Sequence, residues 1–440
     1  NTTGSNNVSV GAYALDANTT ASENTAVGYQ ALSANTTANG NTAVGRKALL
    51  VSTTGTYNTG IGREALYDNT TGAHNTAVGN ASLANNTSAN NNCAFGSATL
   101  NSNTTGTGNV AMGYAAGYSG TTADSCTFIG YSSGYENLSS DITGVGAYAL
   151  DKNTTGSSNT ALGYYALKAN TTGSSNTAVG REALDANTTG AENTAVAMGY
   201  NCADAITTGN YNTAMGVNAL TSATTGHRNT AIGSACMENM TTGEYNTAVG
   251  QGAMYDATSS YNVAVGQNAL YNSSGGNYNT AVGYQAGQAS STGVNNVSLG
   301  WNAQPSNTNN SNEVTLGNGN ITALRCQQTS ISSLSDRRDK TDIVDLPLGL
   351  DFLDKIRPVK FKWDIRNVEE GNPYQGKVRS GFIAQELQEA QKESDAEFMD
   401  LVFDLAPEKL EAKQGNLIPV MVQAIKDLSA KVKELESKLN

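Results

Sequence analysis

Cysteine, histidine and tryptophan are scarce in this sequence, which has five, two and two of them among 440 residues. The cysteines are Cys93, Cys126, Cys202, Cys236 and Cys326. Their number is odd and they lack the paired spacing of a metal site, so we predict no metal site and no cofactor. Cys202 and Cys236 replace an alanine of the repeat described below, which indicates small buried residues.

Charge and long apolar runs are also scarce. Residues 1–317 carry 7 Lys and Arg against 16 Asp and Glu, and residues 318–440 carry 18 against 21. Neither part is polybasic, which argues against nucleic-acid binding. No apolar run is long enough to cross a bilayer, so no membrane insertion is predicted. The chain begins at Asn1, and we expect it to be a fragment without its N-terminal attachment region.

One stretch, NTAVGYQALSANTTANG at Asn24–Gly40, is abundant instead. Its marker glycine recurs nineteen times between Gly11 and Gly317, in steps of 17 residues apart from two of 16 and one of 19. A period this short indicates a solenoid, because one unit is too small to bury a core alone. Helices are excluded, since Gly and Asn interrupt every unit and no 3.6-residue period is present. We predict an all-β solenoid about 85 Å long, at one strand spacing per unit.

Alternation in the tripeptide Thr25-Ala26-Val27 predicts a short strand. The position of Val27 is apolar and of middle size in every unit, as in Ile61 and Leu162, so we predict that this column forms the interior. The position of Ala26 is almost always small, although Phe128 is an exception. We therefore expect the Ala26 column to be a flat face against which another chain packs closely.

A second apolar pair, Ala31-Leu32, follows the glycine and predicts a second strand in each unit. Segments such as Asn69–Gly72 connect the units and suit tight turns, because Asn and Gly tolerate positive φ. Asn-x-Ser/Thr triplets recur in these segments, for example at Asn35 and Asn170. We interpret them as turns first, and as glycan acceptors only on a eukaryotic secretory route.

The unit resembles the NSVAIG repeats of trimeric autotransporter adhesin heads, and repeats in the fibres of phages and algal viruses. The adhesin heads form left-handed β-rolls, so the resemblance implies a left-handed roll over residues 1–317. The units here are longer than those of the adhesin heads. Because a thin roll buries little per unit, we expect three parallel copies side by side, a homotrimer.

Nineteen of the twenty tyrosines lie in residues 1–317, often directly after the marker glycine. Exposed tyrosine can stack against sugars, which makes this column a candidate glycan-contact surface. Cross-strand packing is the alternative interpretation. The candidate residues are Tyr29, Tyr114, Tyr131, Tyr164 and Tyr284.

The composition changes after residue 317. Residues 318–334 form a stem or linker, and residues 335–440 have the composition of an ordinary globular domain, predicted to be small and α+β. Its last segment has apolar residues spaced by three and four, which predicts a coiled-coil seam of about three heptads and self-association of the chains. Ile or Val at a with Leu at d would by itself favour two strands, and we assign the seam to the expected trimer; a helix packed on its own domain is the alternative for the first turns. The seam residues are Ile418, Met421, Ile425, Leu428, Val432, Leu435 and Leu439.

Residues 335–440 resemble the endosialidase-type intramolecular chaperone domain of phage tailspikes and fibres. The resemblance rests on the SDRRDK opening, the IRPVKFKW stretch, GFIAQE and the terminal helix, in the family's order. It implies a domain that brings three chains into register and then cuts the chain at Leu334-Ser335. By this resemblance Ser335 is the nucleophile and Lys340 its base.

Chemistry of the residues fits that assignment, because a serine hydroxyl needs a base to attack a carbonyl. Both histidines precede residue 318, so no Ser-His pair can form in the tail. Ser335 and Lys340 are five apart and would not share a helix face, so they must meet through a turn or between chains. The alternative interpretation is that Asp336 caps a helix, that Arg337 and Arg338 pair with nearby aspartates, and that Lys340 is a solvated charge.

We interpret the chain as the distal part of a viral tail fibre that is carried on the virion and binds a cell-surface glycan or receptor. Beyond a single self-cleavage, no enzyme activity is predicted. A trimeric bacterial adhesin is one alternative, which the chaperone tail and the missing membrane anchor argue against. An ice-binding solenoid is another, but it needs unbroken Thr ladders, and Val8, Val110 and Val297 interrupt them.

Overall fold

A computed structural model describes residues 1–321, 323–325, 327, 335–365, 374–404 and 410–439, apart from the side chains of residues 195–199. The chain divides into two compact units, Asn1–Thr315 and Leu316–Asn440.

The first unit is a β-solenoid of about 18 turns, which confirms the predicted fold class. Each coil contributes one strand, and the strands join in a single parallel sheet. Most pairs are in register at the repeat period, as in Thr25 opposite Thr42. The strands are β1 Val8–Val10, β2 Thr25–Val27, β3 Thr42–Val44, β4 Thr59–Ile61, β5 Thr76–Val78, β6 Cys93–Phe95, β7 Val110–Met112, β8 Thr127–Ile129, β9 Thr143–Val145, β10 Thr160–Leu162, β11 Thr177–Arg181, β12 Thr194–Tyr200, β13 Thr213–Met215, β14 Thr230–Ile232, β15 Thr247–Val249, β16 Val263–Val265, β17 Thr280–Val282, β18 Val297–Leu299 and β19 Val314–Leu316.

The predicted assignment of inside and outside was wrong. Ala26 is fully buried within its own coil, whereas Thr25 and Val27 lie on the outer face of the sheet. The cause is the narrow cross-section of the coil. A Cβ added at Gly60, which occupies the Ala26 position, would lie 3.4 Å from Leu49 Cδ1, so the leucine of the preceding coil already fills the space behind the strand.

The Val27 column therefore forms an apolar stripe on the surface of the single chain. In the more exposed coils these side chains keep between 37 % and 57 % of their surface accessible. They are Val10, Ile61, Phe95, Met112, Ile129, Leu162, Met215, Val265, Val282 and Leu299. The expectation that the Ala26 column forms a face for another chain was also wrong, because those residues are interior.

The prediction of a second strand in each unit was wrong as well. Ala31 and Leu32 lie in a turn, in which Gln30 and Leu32 have φ of 57° and 51°. This left-handed backbone costs about 1–2 kcal/mol for a residue with a side chain. Leu32 is fully buried, which contributes about 1.5–3 kcal/mol, and its N–H donates to Ala48 O at 3.0 Å in the next coil. Burial and hydrogen bonding thus offset the backbone strain.

The marker glycine is required by both conformation and space. Gly28 has φ of 135°, and an added Cβ would lie 2.5 Å from Gly45 O. Because the glycines of successive coils stack directly on one another, no side chain fits at this corner.

Buried asparagines connect each coil to the next. Asn41 N–H donates to Asn24 Oδ1 at 2.9 Å, and Asn41 Nδ2 donates to Gly55 O at 2.9 Å. Asn58 repeats the pattern one coil later, with distances of 2.8 Å to Asn41 Oδ1 and to Gly72 O. The amide satisfies backbone groups that the turns leave without partners, which explains why Asn recurs at a fully buried position.

The Asn-x-Thr triplets also use their asparagines internally. Asn35 and Asn170 are fully buried, and Asn170 Nδ2 donates to Asn153 Oδ1 at 2.7 Å. They are therefore structural residues of the turns in the folded coil. This second ladder ends at Asn187, whose Oδ1 has no hydrogen-bond partner in the described chain, because Ile206 occupies the position in the next coil.

Phe128 is the large exception in the interior column, and it is 2 % exposed. Glycine replaces the usual leucine in its own coil, at Gly134, and in the preceding coil, at Gly117. A Cβ at Gly134 would lie 2.2 Å from Phe128 Cε1, and one at Gly117 would lie 2.9 Å from Phe128 Cδ2. The ring therefore takes the space that two leucines fill in other coils.

The second unit is a small α+β domain whose core includes Phe352, Leu387, Leu401, Leu417 and Val420. Asp427 joins the first and last helices, since its Oδ2 accepts Leu350 N–H at 3.2 Å. The helices are α1 Leu350–Leu353, α2 Ala384–Lys392 and α3 Ile418–Leu439. The antiparallel strand pairs are β20 Val359–Lys362 with β21 Val378–Gly381, and β22 Val402–Phe403 with β23 Glu411–Ala412. Short 3-10 turns lie at Arg337–Asp339, Glu397–Met399 and Gln414–Leu417.

Restoring the common leucine at Gly134 is expected to destabilise the solenoid. Leu32 shows that leucine can adopt the left-handed backbone of this position, but at Gly134 its side chain would overlap Phe128. We expect Gly134→Leu to cost about 1–3 kcal/mol by overpacking, measured as a lower midpoint of chemical unfolding by circular dichroism. Combining it with Phe128→Ala is expected to recover part of this loss, and equal midpoints for the single and double variants would contradict the packing account.

Asp204 is expected to make the solenoid more stable in mild acid. Burial, with Asp185 and Glu182 nearby, raises the pKa of Asp204 to about 6, and its Oδ1 has no hydrogen-bond partner in the described chain. The folded state thus binds the proton more tightly than the unfolded state, and the charged carboxylate destabilises the fold above about pH 6. We expect Asp204→Asn to raise the unfolding midpoint at pH 8 but not at pH 4. Asp16→Asn, at the same position of an outer coil and exposed, is the control, and an equal gain at both pH values would refute this account.

Candidate functional site

Ser335 and Lys340 come together at the start of the C-terminal domain. Lys340 Nζ donates to Ser335 Oγ at 2.6 Å, so the two side chains meet within one chain through a turn. The turn is the 3-10 segment Arg337–Asp339, closed by Lys340 N–H donating to Arg337 O at 3.2 Å. Leu334, on the other side of the predicted scissile bond, lies outside the described residues.

Asp336 holds the turn that brings the pair together. Its Oδ1 accepts Arg338 N–H at 2.9 Å, and its carboxylate accepts three guanidinium hydrogen bonds from Arg338, at 3.1 Å, 3.2 Å and 2.6 Å. These bonds keep the pKa of Asp336 below its usual range. The capping role proposed as the alternative for Asp336 is therefore present, and it coexists with the Ser-Lys contact. Arg337 and Asp339 form no ion pair with each other or with other described residues.

The pair lies open to solvent in a single chain, since residues 335–340 are all exposed. A lysine acts as a base only in its uncharged form, which burial favours. The geometry provides the nucleophile and base in contact, whereas the surroundings that would remove water are absent from the described residues of one chain.

Helix α3 presents its predicted seam to solvent. The exposed fraction of the seam residues lies between 47 %, for Val432, and 88 %, for Leu439. A different face, with Val420 and Ala424, packs on the core of the domain. One face of this helix therefore packs on its own domain, while the seam residues lie exposed on another face and the coiled coil between chains stays a prediction.

The candidate glycan-contact tyrosines are all exposed, by between 40 % and 53 %. Several use their ring faces on one another. Tyr114 and Tyr131 are stacked, with ring centroids 5.2 Å apart and planes inclined by 19°. Tyr164 stacks on Tyr165 at 3.9 Å, and Tyr29 contacts Tyr13 edge-on at 6.0 Å. Packing against neighbouring aromatic rings, within one coil or between coils, thus occupies these rings, while Tyr284 makes no aromatic contact within the described chain.

Two aromatic residues of this column, Tyr200 and Trp301, are missing from the predicted set. Tyr200 follows Gly199 and is 42 % exposed, and the Arg181 guanidinium lies 4.9 Å from the centre of its ring. Trp301 follows Gly300 as Tyr284 follows Gly283, and it is 54 % exposed. One further step of the 17-residue period from Tyr284 would have identified it.

Three of the four described cysteines are buried, and Cys93, on the outer face of β6, is partly exposed. Cys202 and Cys236 are fully buried, as predicted, and Cys126 is 1 % exposed. Burial raises the pKa of Cys126 to about 11 and that of Cys236 to about 12, which keeps both thiols protonated at neutral pH. Among the described residues no group of three or more His, Cys, Asp or Glu side chains could hold a metal ion. Cys326 lies outside the described residues.

Residues 335–396 match the protein family described as chaperone of endosialidase. The match begins at Ser335 and extends past the end of α2, so it includes the Ser-Lys pair but not α3. No curated protein matches the chain. No helix in the described ranges is long and apolar enough to cross a membrane. A solenoid followed by this domain fits a protein of the tail-fibre type with a C-terminal chaperone.

Proposed function

We propose that this chain is the distal part of a homotrimeric viral tail fibre, located on the virion, whose C-terminal domain assembles three copies and then cuts itself off. The observation that carries the proposal is the 2.6 Å contact between Lys340 Nζ and Ser335 Oγ, at the first residue of the chaperone-family match. The solenoid is the part that remains, and it binds a receptor on the cell surface.

Three copies are supported by two apolar surfaces that a single chain leaves exposed. One is the Val27 column along the solenoid, and the other is the seam of α3. Exposed apolar surface of this extent marks an interaction surface, since its burial contributes roughly 25 cal/mol per Å². The Val27 column takes the role that the sequence assigned to the Ala26 column.

The proposed cleavage needs only the chain and water. Ser335 Oγ attacks the carbonyl carbon of Leu334 while its proton passes to Lys340 Nζ. The peptide C–N bond then breaks, and the proton is delivered to the Ser335 nitrogen, leaving an ester between Leu334 and Ser335 Oγ. Water hydrolyses this ester to a Leu334 carboxylate and a free Ser335 hydroxyl.

Assembly is proposed to control this reaction. Residues 335–340 are exposed in one chain, so Lys340 is solvated there. Packing of neighbouring copies around it would exclude water and favour the uncharged amine. Cleavage would then follow trimerisation, and its irreversibility would keep the fibre assembled after the chaperone leaves.

Removing either partner of the pair is expected to stop cleavage. The parent chain should yield a fragment of residues 335–440, whereas Ser335→Ala and Lys340→Ala should remain at full length, as measured by gel electrophoresis and intact mass. Ser335→Cys is expected to retain some cleavage, since a thiol can also attack the carbonyl. Lys377→Ala changes another exposed lysine of the domain and should cleave normally. Cleavage of the Lys340→Ala chain at the parent rate would remove the dyad from the proposal.

A charge in the seam is expected to prevent trimerisation. Ile425 is 67 % exposed in one chain and would be buried between helices, where an unpaired carboxylate costs several kcal/mol. In analytical ultracentrifugation, Ile425→Asp in the Ser335→Ala background should sediment as a monomer. Lys426→Asp, one residue off the seam, should remain trimeric like its parent. A monomeric parent, or a trimeric Ile425→Asp chain, would contradict the assembly proposal.

A further inference from the structure

Four side chains form a ladder in the C-terminal part of the solenoid, at the position directly after the marker glycine. They are Gln251, Gln267, Tyr284 and Trp301, one from each of four successive coils. Because β15 to β18 pair in register, these positions stack along the solenoid with one strand spacing, about 4.8 Å, between neighbours. We call this set the aromatic-amide ladder.

The aromatic rings of the ladder are free of other rings. Tyr284 and Trp301 are 44 % and 54 % exposed, and neither contacts a ring or a cation within the described residues. Tyr114 and Tyr131, at the same position of earlier coils, use their faces on each other. The ladder thus differs from the other aromatic pairs of this column in having ring faces available to a ligand.

The amides of the ladder are also free. Gln251 and Gln267 are exposed, and their side chains make no hydrogen bond within the described part of the chain. Elsewhere in the solenoid, side-chain amides cap backbone groups of the next coil, as Asn41 does. Two unused donor-acceptor groups beside two open rings provide the polar and apolar contacts that a sugar's hydroxyl groups and C–H faces require.

The surroundings of the last three ladder residues, Gln267, Tyr284 and Trp301, carry no charge, while Asp256 lies in the coil of Gln251. From Ala257 to Asn312 the sequence contains no Asp, Glu, Lys, Arg or His. The position next to the ladder is occupied by Asn268, Gln285 and Asn302 in its last three coils. Beside the last three ladder residues no cation is available to pair with an acidic sugar and no carboxylate to pair with an amino sugar, so this part of the surface is complementary to an uncharged ligand.

We propose that the aromatic-amide ladder binds a neutral polysaccharide, whose chain lies along the solenoid with sugar rings on Tyr284 and Trp301 and hydroxyl groups bonded to Gln251 and Gln267. The proposal rests on the proposed receptor-binding function and names its site and ligand class. The remaining tyrosines of the column pack mainly against neighbouring aromatic side chains.

The test uses the full-length chain with the Ser335→Ala change, so that cleavage does not alter the sample. An array of neutral glycans (mannan, dextran, maltoheptaose and cellohexaose) and anionic glycans (hyaluronan and polysialic acid) is probed first. We expect saturable binding to at least one neutral glycan and none to the anionic ones. Titration of that glycan by calorimetry should give an affinity at least tenfold lower for Trp301→Ala, and a similar loss for Tyr284→Ala. Tyr57→Ala, which changes an exposed tyrosine of a distant coil outside the candidate glycan-contact set, should bind as the parent does.

Binding to anionic glycans alone, no binding to any neutral glycan, or unchanged affinity in Trp301→Ala would each overturn the ladder. Trimer formation and, in the chain with Ser335 intact, cleavage are measured in parallel. A fibre that trimerises and cleaves but binds no neutral glycan refutes this site while leaving the assembly proposal in place. A chain that binds through Trp301 without trimerising or cleaving refutes the assembly proposal alone.

Discussion

Stacking of each residue on its counterpart one coil away is the constraint on which the solenoid depends. Backbone hydrogen bonds run from coil to coil in the strand and also in the turns, as in Leu32 N–H to Ala48 O. The Asn24 ladder adds side-chain bonds in the same direction. Equivalent residues of successive coils stack about 4.8 Å apart, so each position of the repeat accepts only residues whose size, backbone conformation and polarity allow this stacking. This restriction explains why the same residue types recur at the same positions of the sequence repeat.

Departures from the repeat show how strong the constraint is. Phe128 fits in the interior only because glycine, at Gly117 and Gly134, replaces the two leucines that would otherwise overlap its ring. In the longest coil, the first three residues of β12 pair in register with β11. The pairing then shifts between Val179 and Arg181 of β11, because β12 contains the two additional residues. In both places the column is preserved and the change is absorbed next to it.

The solenoid could be predicted from the period alone, but its inside could not. The two-residue alternation of a strand shows that Ala26 and Val27 lie on opposite faces of the sheet, but it does not show which face is buried. We assigned the larger side chain, Val27, to the interior, and this was wrong. The interior is narrow, and Leu49 or its equivalents fill it from the turn, so alanine is the residue that fits on the strand. That turn has a left-handed leucine, a conformation that residue preferences argue against, and its stabilisation by burial is visible only in the folded coil. For the candidate site, the spacing of Ser335 and Lys340 excluded a shared helix face and left two possibilities, a turn or a contact between chains. The capping by Asp336 that forms the turn was treated as an alternative to catalysis.

The surfaces left open in one chain provide a physical reason for the proposed coupling of assembly and cleavage. The Val27 column, the seam of α3 and the Ser-Lys pair are exposed for different local reasons, yet copies of the same chain could cover all three. An apolar column repeated in every coil favours association of solenoids but leaves their alignment poorly specified. A shift by one coil places another apolar residue of the same column at each contact. A clamp at one end removes this ambiguity, since it fixes the same coil of each chain at the same height and raises the effective concentration of the rest. In the proposed assembly such a clamp is needed only once, which gives a physical reason for removing the domain after the register has been set.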